Sequence, residues 1–448
     1  MRLPSTPPEL MAALRTVWSG DRKRFDHFLA HSVKSEVGGR YLHWDELRRR
    51  PPPDGLTSEE WWAGISMARS VLRTEVPFKD DTGRGFHFAR TDSLMLALHR
   101  IDREMGGRLE VADPQLANRE VRDRYIVRSL MEEAITSSQL EGASTTRQVA
   151  KDMLIQGRPP RTKDERMIYN NFHAMEVLRE KAREPLTEAF LLELHELITR
   201  DTLNEPGDAG RLRRSDETIT VQDRSSGQTL HIPPKAGELP ARIKALCAFA
   251  NEDAGDAFIH PVVRAIVLHF MLAYDHPFVD GNGRTARALF YWSMIRQRYW
   301  LAEFLSISRI IQRAPRRYGE AFLHVETDRG DLTYFLLHQV EAIIQATQQL
   351  YEYLELKSKE LREVELILRD GENINHRQLA LLEYVLRHPG TRYTIESYRR
   401  QHRVVYQTAR QDLLSLESAG YLQKKKMGRS YTFSAVPQLE RMLRAKRA

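Results

Sequence analysis

The apolar positions of this chain recur mostly at helical spacing. A helix is predicted near residues 123–142, where the i, i+3, i+4 pattern is kept by Ile126, Val127, Leu130, Ala134 and Ile135. Similar patterns predict helices at about 163–182, 237–252 and 261–274, and a long helical stretch from about 330 that ends in RDGEN at 369–373. Thr57 followed by Glu60 has the pattern of a capping box, which predicts a helix start. The sequence therefore predicts a mainly α protein.

Strand patterns are few and lie between the helical stretches. The clearest is a hairpin over residues 218–232, with strands Thr218–Val221 and Thr229–Ile232 around a polar Ser-Ser-Gly turn. PFKDDTGRGFHF, residues 77–88, predicts a turn or a short hairpin. Because both hairpins are short, they add local features to a helical protein and do not change its class.

The pattern changes character after residue 373. Three short helices are predicted within NHRQLALLEYVLRH, TIESYRRQH and YQTARQDLLSLESAG, and the basic segment YLQKKKMGRSYTFS predicts strand, turn and strand. Three helices and a basic hairpin follow the order of a winged helix-turn-helix domain. In such a domain Leu413, Leu414 and Leu416 would pack inward.

Composition limits the classes that remain. A chain of 448 residues is long enough for two or three domains. Its single cysteine, Cys247, excludes an internal disulfide framework and a multi-cysteine zinc site, and is expected to be a small buried apolar residue. The apolar stretch Val262–Tyr274 is shorter than the roughly 20 residues that cross a membrane. We therefore expect a cytoplasmic protein with no membrane partner and no signal peptide.

The positive charge is concentrated at the C-terminus. Residues 391–448 contain 13 Lys and Arg against 4 Asp and Glu, whereas the whole chain has a net charge of +7. Such a patch is typical of a domain that binds nucleic acid, although a solvated basic face has the same composition.

One stretch of twelve residues, HPFVDGNGRTAR at 276–287, combines groups that suit phosphate chemistry. Glycines at the start of a helix let an anion approach unpaired backbone N–H groups. Arg284 and Arg287, three residues apart, would add guanidinium donors on one face of that helix. Asp280 beside bound phosphates calls for a cation between them, for which Mg²⁺ is suited. His276 can act as a general base, so the stretch predicts phosphoryl or nucleotidyl transfer.

The same stretch resembles the signature of the Fic family, H-P-F-x-D/E-G-N-G/K-R-x-x-R, at every specified position. The resemblance, which extends over about 113–350, implies a helical core with a β-hairpin flap. It also implies transfer of AMP from ATP, with Mg²⁺, to a Ser, Thr or Tyr hydroxyl of a target protein and of the chain itself. Such proteins commonly form homodimers.

The resemblance also implies roles for individual residues. His276 would accept the proton of the target hydroxyl, Phe278 would anchor the loop, and Asp280 would hold the metal. The nucleotide would be bound by Gly281, Asn282, Gly283, Arg284 and Arg287, of which Arg287 would hold the γ-phosphate. The hairpin at 218–232 would pair with an extended target segment or serve only as a structural flap. Residues 304–311 occupy the place where family members contact the base or ribose.

A second motif, SSQLEG at 137–142, resembles the inhibitory pattern S/T-x-x-x-E-G/N of the same family. Ser137, Glu141 and Gly142 have the required spacing. Glu141 would pair with Arg287, displace the γ-phosphate and make the enzyme autoinhibited. The other interpretation of this Glu-Gly is a plain helix cap.

The sequence thus predicts four parts: an N-terminal helical extension at 1–112, a Fic domain at 113–350 with an inhibitory helix at about 123–142, a linker helix at 351–373, and a winged helix-turn-helix domain at 374–448. In the last part the expected DNA contacts are Gln407, Thr408, Arg410, Gln411, Lys424, Lys425, Lys426 and Arg429. Docking of this domain on a protein or on the Fic core is the alternative. Two further hypotheses are removal of AMP with the help of Glu141, and a DNA-binding regulator whose Fic core senses a nucleotide.

Overall fold

The computed structural model describes residues 2–18, 22–31, 34–106, 119–223, 226–252, 258–368, 374–387, 391–427 and 430–437, with Leu439 and Met442. Helices dominate these residues, which confirms the mainly α class. None of the helices described is both long and apolar enough to span a bilayer.

The N-terminal part combines helices with one antiparallel hairpin. Its elements are α1 (Leu10–Trp18), α2 (Arg22–His31), α3 (Trp44–Leu47), α4 (Ser58–Val71), β1 (Arg73–Lys79), β2 (Gly85–Ala89) and α5 (Asp92–Met105). The capping box at Thr57 and Glu60 is confirmed, since each residue's side chain accepts the other's backbone N–H. The predicted hairpin at 77–88 is also confirmed, with longer strands than the segment itself suggested.

The central part is a helical bundle with a short hairpin. Its elements are α6 (Arg119–Leu140), α7 (Arg147–Gln156), α8 (Lys163–Lys181), α9 (Glu188–Thr199), β3 (Val221–Gln222), β4 (Thr229–His231), α10 (Leu239–Ala250), α11 (Pro261–Asp275), α12 (Asn282–Arg296), α13 (Ile307–Arg313), α14 (Pro315–Thr327) and α15 (Thr333–Leu368). Helix α11 is buried over nearly its whole length because apolar residues cover all of its faces. It therefore forms the axis against which α12, α10 and α15 pack.

The C-terminal part contains α16 (His376–Arg387), β5 (Arg392–Thr394), α17 (Ile395–His402), α18 (Tyr406–Ser418), β6 (Leu422–Met427) and β7 (Ser430–Ala435). The strands pair in the order β5-β7-β6. Leu413 and Leu416 are buried and Leu414 is partly buried, as predicted. Helix α17 packs against α6 and α7 of the bundle.

Three details differ from the sequence prediction. The first strand of the 218–232 hairpin begins at Val221, three residues later than predicted, because the Glu217 carboxylate accepts bonds from Arg211 and from the Arg214 N–H and closes a turn before it. β5 was not predicted, since three residues carry too little pattern. The predicted domain limits stay predictions. Helix α15 continues without a break through residue 350, where the sequence analysis placed the end of the Fic domain. Cys247 is only partly buried, against the main core.

Candidate active site

The site begins where α11 ends. His276 caps this helix in the left-handed conformation, with φ of 45°, and its N–H donates to Leu272 O at 3.1 Å. Residues other than glycine rarely adopt this conformation, so surrounding contacts must hold it. The sharp turn directs the chain away from the core and toward the start of α12.

The tautomer of the His276 imidazole follows from its one hydrogen bond among the described residues. Its Nδ1 lies 3.0 Å from Ala273 O, and because a carbonyl only accepts, Nδ1 carries the proton. The lone pair then lies on Nε2, which makes no hydrogen bond within the described part of the chain. Burial lowers the pKa of His276 below its usual 6.5. The ring is therefore in the neutral form that a general base requires.

The loop between His276 and α12 is closed by one side chain. Asn282 Oδ1 accepts from Phe278 N at 2.9 Å, and Asn282 Nδ2 donates to Phe278 O at 2.8 Å. The Phe278 ring is fully buried and stacks on His195 of α9 with ring centroids 3.7 Å apart. The predicted anchoring of Phe278 thus has a definite partner.

His195 also holds the backbone of the loop. Its Nδ1 accepts from Gly210 N at 3.0 Å, so Nε2 carries the proton and donates to Asp280 O at 2.8 Å. Burial lowers the pKa of His195 to about 4, which keeps the ring neutral. Gly281 lies against the same helix with φ of 84°, and a Cβ there would come within 2.6 Å of Thr199 Cγ2. Only glycine fits this approach.

The first turn of α12 has the features of an anion-binding site, and we call it the anion pocket. No side chain caps this helix start, and Arg284 is almost completely buried beside it. Arg284 Nη1 donates to Ile198 O at 3.1 Å, whereas Nε and Nη2 have no hydrogen-bond partner among the described residues. Burial lowers the pKa of Arg284 below its usual range. A buried guanidinium with free donors at a helix N-terminus is suited to bind an anion.

Arg287, one turn further, is bound by Ser137 of α6 and by Glu141, which directly follows that helix. Its Nε donates to Ser137 Oγ at 2.8 Å, and its Nη2 donates to Ser137 O at 3.0 Å and to Glu141 Oε1 at 2.8 Å. Burial alone would raise the pKa of Glu141, but the charge and hydrogen bond of Arg287 lower it below its usual range. An added Cβ at Gly283 would overlap the Glu141 carboxylate. The carboxylate therefore lies over the helix start, within the anion pocket.

Helix α6 is fixed in register by a buried glutamate two turns before Glu141. Glu133 Oε2 accepts from Tyr291 Oη at 2.9 Å, from Ser306 Oγ at 2.9 Å and from Ser308 N at 3.1 Å. Near the pocket, Gln139 Oε1 accepts from Gln312 Nε2 at 2.8 Å. The segment 304–311 thus contacts α6, and its predicted contact with a base or ribose stays a prediction.

Asp280 is the one predicted metal ligand, and its side chain is 56% exposed. Its Oδ1 accepts from Gly281 N at 2.5 Å and lies 3.8 Å from Arg284 Nη2. Among the described residues, no group of three or more His, Cys, Asp or Glu could hold a metal alone. A single carboxylate beside an anion pocket fits Mg²⁺ that takes its other ligands from phosphates and water.

The hairpin β3–β4 flanks the same turn. His231 Nε2 lies 2.7 Å from Tyr274 O, and Arg213 Nε donates to His276 O at 2.8 Å. Ile232, directly after β4, is 69% exposed. Sequence reasoning missed His195, Arg213 and His231 because most of their hydrogen bonds go to backbone atoms distant in sequence, which leave no motif.

The predicted DNA contacts lie in the C-terminal part, away from this pocket. Gln407, Arg410, Gln411, Lys425 and Lys426 are exposed, Thr408 and Lys424 are partly exposed, and Arg429 is outside the described residues.

Gly142 follows α6 with φ of 103°. The hydrogen bonds of Arg287 thus bring the 276–287 stretch into contact with Ser137 and Glu141.

Comparison with known families agrees with this geometry. Residues 185–294, from α9 to α12, match the model of the Fic/DOC family, so this part of the chain is a Fic domain. The segment with Ser137 and Glu141 lies outside the matched residues.

Two curated relatives are the proteins named Protein adenylyltransferase Fic of Drosophila mojavensis and Drosophila melanogaster. Each is 33% identical over 109 residues, which is 24% of this chain and 19% or 20% of the relative. The chain thus spans about a fifth of the length of the curated relatives that it matches. Among solved structures, a Fic family protein from Desulfovibrio desulfuricans G20 is 18% identical with a TM-score of 0.49, covering 78% of this chain and 98% of that chain.

The Asn282 clamp generates a testable prediction. Asn282→Ala removes two hydrogen bonds and leaves the Phe278 N–H and C=O buried, so the free energy of unfolding should fall by about 1–3 kcal/mol. Binding of ATP, measured by titration calorimetry, should also weaken because the loop before α12 loses its shape.

A matched control exists in the same domain. Asn251 clamps Leu186 in the same way, with two hydrogen bonds of 2.8 Å. Asn251→Ala should destabilise the protein in urea to a similar extent and leave ATP binding unchanged. Equal loss of ATP binding in both variants would contradict the assigned role of the clamp.

Proposed function

We propose that the chain is a self-restrained protein adenylyltransferase, which transfers AMP from ATP to a Ser, Thr or Tyr hydroxyl of a target protein. The observation that supports it best is the neutral His276 ring, with its lone pair on Nε2, beside the anion pocket of α12. The printed names of the curated relatives point to the same activity.

The chemistry follows from these groups. The target hydroxyl gives its proton to His276 Nε2, and its oxygen forms a bond to the α-phosphorus of ATP. The bond from that phosphorus to the bridging oxygen of pyrophosphate breaks, and pyrophosphate leaves. Arg284 and the backbone N–H groups of α12 stabilise the negative charge of the phosphates. Asp280 would hold Mg²⁺, which supplies further neutralisation of that charge when it is bound.

Self-restraint follows from the contact between Glu141 and Arg287. The carboxylate takes the guanidinium that would otherwise bind the γ-phosphate, and it lies over Gly283, where the triphosphate would approach. A triphosphate that cannot reach Arg287 binds displaced, so its α-phosphorus is not in line with the hydroxyl.

Glu141→Gly should therefore increase AMP transfer by about tenfold or more, because removing the carboxylate frees the Arg287 guanidinium to bind the γ-phosphate through charge-assisted hydrogen bonds. The measurement is label transfer from α-³²P-labelled ATP to the chain itself and to proteins of a lysate. Arg147→Ala is the control, since it breaks another ion pair of α6, that with Glu132, away from the pocket. A Glu141→Gly variant no more active than the wild type would contradict self-restraint.

His276→Ala in the Glu141→Gly background should lower transfer by about 100-fold or more while ATP still binds. In the unsubstituted background, kcat/KM should fall as the pH drops through the lowered pKa of His276, because the protonated ring cannot accept a proton. His173→Ala, at an exposed histidine of α8, should have no effect. Transfer that survives in His276→Ala would exclude this residue as the base.

A second candidate function, binding of duplex DNA, is supported by the exposed face of α18. Val405 and Tyr406 are 68% and 54% exposed, and Arg410 lies one turn further along. Lys425 and Lys426 are exposed on the β6–β7 hairpin, where a wing would meet phosphates. We propose that residues 374–448 form a winged helix-turn-helix domain of this kind.

The double substitution Lys425→Ala and Lys426→Ala should weaken DNA binding and reduce the dependence of log K on log salt by about 2. Fluorescence anisotropy with mixed-sequence duplexes at several salt concentrations measures both. Arg316→Ala, at an exposed arginine of α14, is the control. Binding that is absent in the wild type, or unchanged in the double variant, would favour a docking role for this domain.

A further inference from the structure

The C-terminal end of α11 is hydrogen-bonded by two residues from outside the helix. The last carbonyls of a helix have no partner within it. Here four consecutive carbonyls are bound, those of the last two residues of α11 and of the two residues that follow it. His231 Nε2 donates to Tyr274 O at 2.7 Å, and Arg213 donates to the next three: Nη2 to Asp275 O at 3.4 Å, Nε to His276 O at 2.8 Å and N to Pro277 O at 2.8 Å.

These contacts fix the turn that orients His276. The left-handed conformation of His276 has an energetic cost, which its neighbours must offset. Positive groups at a helix C-terminus also interact favourably with the helix dipole. Arg213 and His231 together therefore hold the backbone on both sides of the catalytic imidazole.

The same two residues attach the flap to this turn. His231 belongs to β4, and Arg213 Nη2 also donates to Pro234 O, three residues after β4 ends. The flap has only two short strands, whose own pairing is weak. Its position beside the turn at His276 thus depends on these side-chain bonds.

His231 can make both of its bonds only when its ring is protonated. Nε2 faces the Tyr274 carbonyl, and Nδ1 lies 2.8 Å from Glu326 Oε2 of α14. Both partners are acceptors, so with an ionised Glu326 both ring nitrogens must donate. Burial lowers the pKa of His231, but the hydrogen bond and charge of Glu326 outweigh it and raise the pKa above its usual value.

Other charges surround the ring. Asp275 of α11 is buried and pairs with Arg242 of α10 at 3.0 Å, and burial raises the pKa of Asp275 to about 6. Arg213 lies on the segment before the flap, and the neutral ring of His276 lies on the turn. The phenol of Tyr274 packs against His231 with ring centroids 4.7 Å apart. Glu326 is the sole carboxylate hydrogen-bonded to His231 among the described residues.

We propose that His231 is a positioning residue whose doubly donating ring ties the flap to the turn that carries His276. This inference rests on the proposed adenylyl transfer for its effect on catalysis. The physical link itself does not require that activity.

The sign of the pH dependence follows from the protonated state. The tie is complete below about pH 6.5, the usual pKa of histidine, and is lost as the pH rises through the raised pKa of the folded protein. Once neutral, the ring presents a lone pair to one of its two acceptors, so one hydrogen bond is replaced by repulsion. The His231 hydrogen bond is thus lost as the pH rises, whereas the ability of His276 to accept a proton is lost as the pH falls.

Hydrogen exchange of the flap amides, followed by mass spectrometry over a pH series, tests the link without any assay of activity. After correction for intrinsic rates, protection of the backbone amides of residues 229–232 in the wild type should fall by about tenfold or more as the pH rises. His231→Gln should show the low protection at every pH. Glu326→Gln, which leaves the ring in place, should shift the midpoint to lower pH.

His173→Gln is the control, since this histidine is exposed and distant from the flap. Protection in the wild type that does not change with pH, or His231→Gln protection equal to that of the wild type at low pH, would overturn the proposal. An unshifted midpoint in Glu326→Gln would do the same.

The effect on the reaction is tested with the Glu141→Gly variant. The kcat/KM of this variant should decline at high pH, and adding His231→Gln should remove this decline. The fall of kcat/KM at low pH, which is due to His276, should remain. A decline that persists in the double variant would overturn the catalytic part of the proposal. If Glu141→Gly transfers no AMP at all, the proposed function fails, while the exchange experiment still decides whether His231 ties the flap.

Discussion

The buried guanidinium of Arg287 is the constraint on which the arrangement of the pocket depends. With 2% of its surface exposed, this cation needs charged or carbonyl partners, because an unpaired buried charge is strongly destabilising. Helix α6 provides them through the Ser137 hydroxyl, the Ser137 carbonyl and the Glu141 carboxylate. A γ-phosphate can replace only the last of these without moving the helix. Arg287 thus links the position of α6 to the occupancy of the anion pocket.

Arg284 differs from Arg287 although both belong to α12 and both are buried. Its Nε and Nη2 have no hydrogen-bond partner among the described residues, and only Asp280 Oδ1 lies within ion-pair distance of Nη2, so these donors remain available to an anion. The scaffold behind them is rigid: Asn282 closes the loop, and His195 supports both Phe278 and the Asp280 carbonyl. On the proposed function, this division lets a nucleotide bind first at Arg284 and compete for Arg287 afterwards.

The sequence was sufficient for features encoded locally. The 276–287 stretch joins base, glycines and arginines within twelve residues, and the apolar spacing of 261–274 predicted a helix that α11 confirms. It was insufficient where partners are distant in sequence and belong to the backbone. His195 reads as an ordinary core histidine, and Arg213 as one of several basic residues before a hairpin. Their roles arise only when α9 and the flap meet the end of α11, a contact that tertiary packing determines. The late start of β3 has a similar origin, in the Glu217 turn.

Release of Glu141 does not require the displacement of α6. Glu133 holds the helix by accepting hydrogen bonds from Tyr291, Ser306 and Ser308. The two hydrogen bonds between Arg287 and Ser137 keep Arg287 in place. Glu141 follows the last helical residue, Leu140, and its side chain is 28% exposed, so it can rotate toward solvent. That rotation breaks one charge-assisted hydrogen bond, worth about 1.5–3 kcal/mol, and partial exposure places its value near the lower end. A triphosphate with several phosphate contacts can offset such a cost. On the proposed function, the restraint is therefore set by the Glu141 side chain, while α6 itself stays fixed. Helix α17, which packs on α6, would affect this restraint only by shifting the last turn of α6.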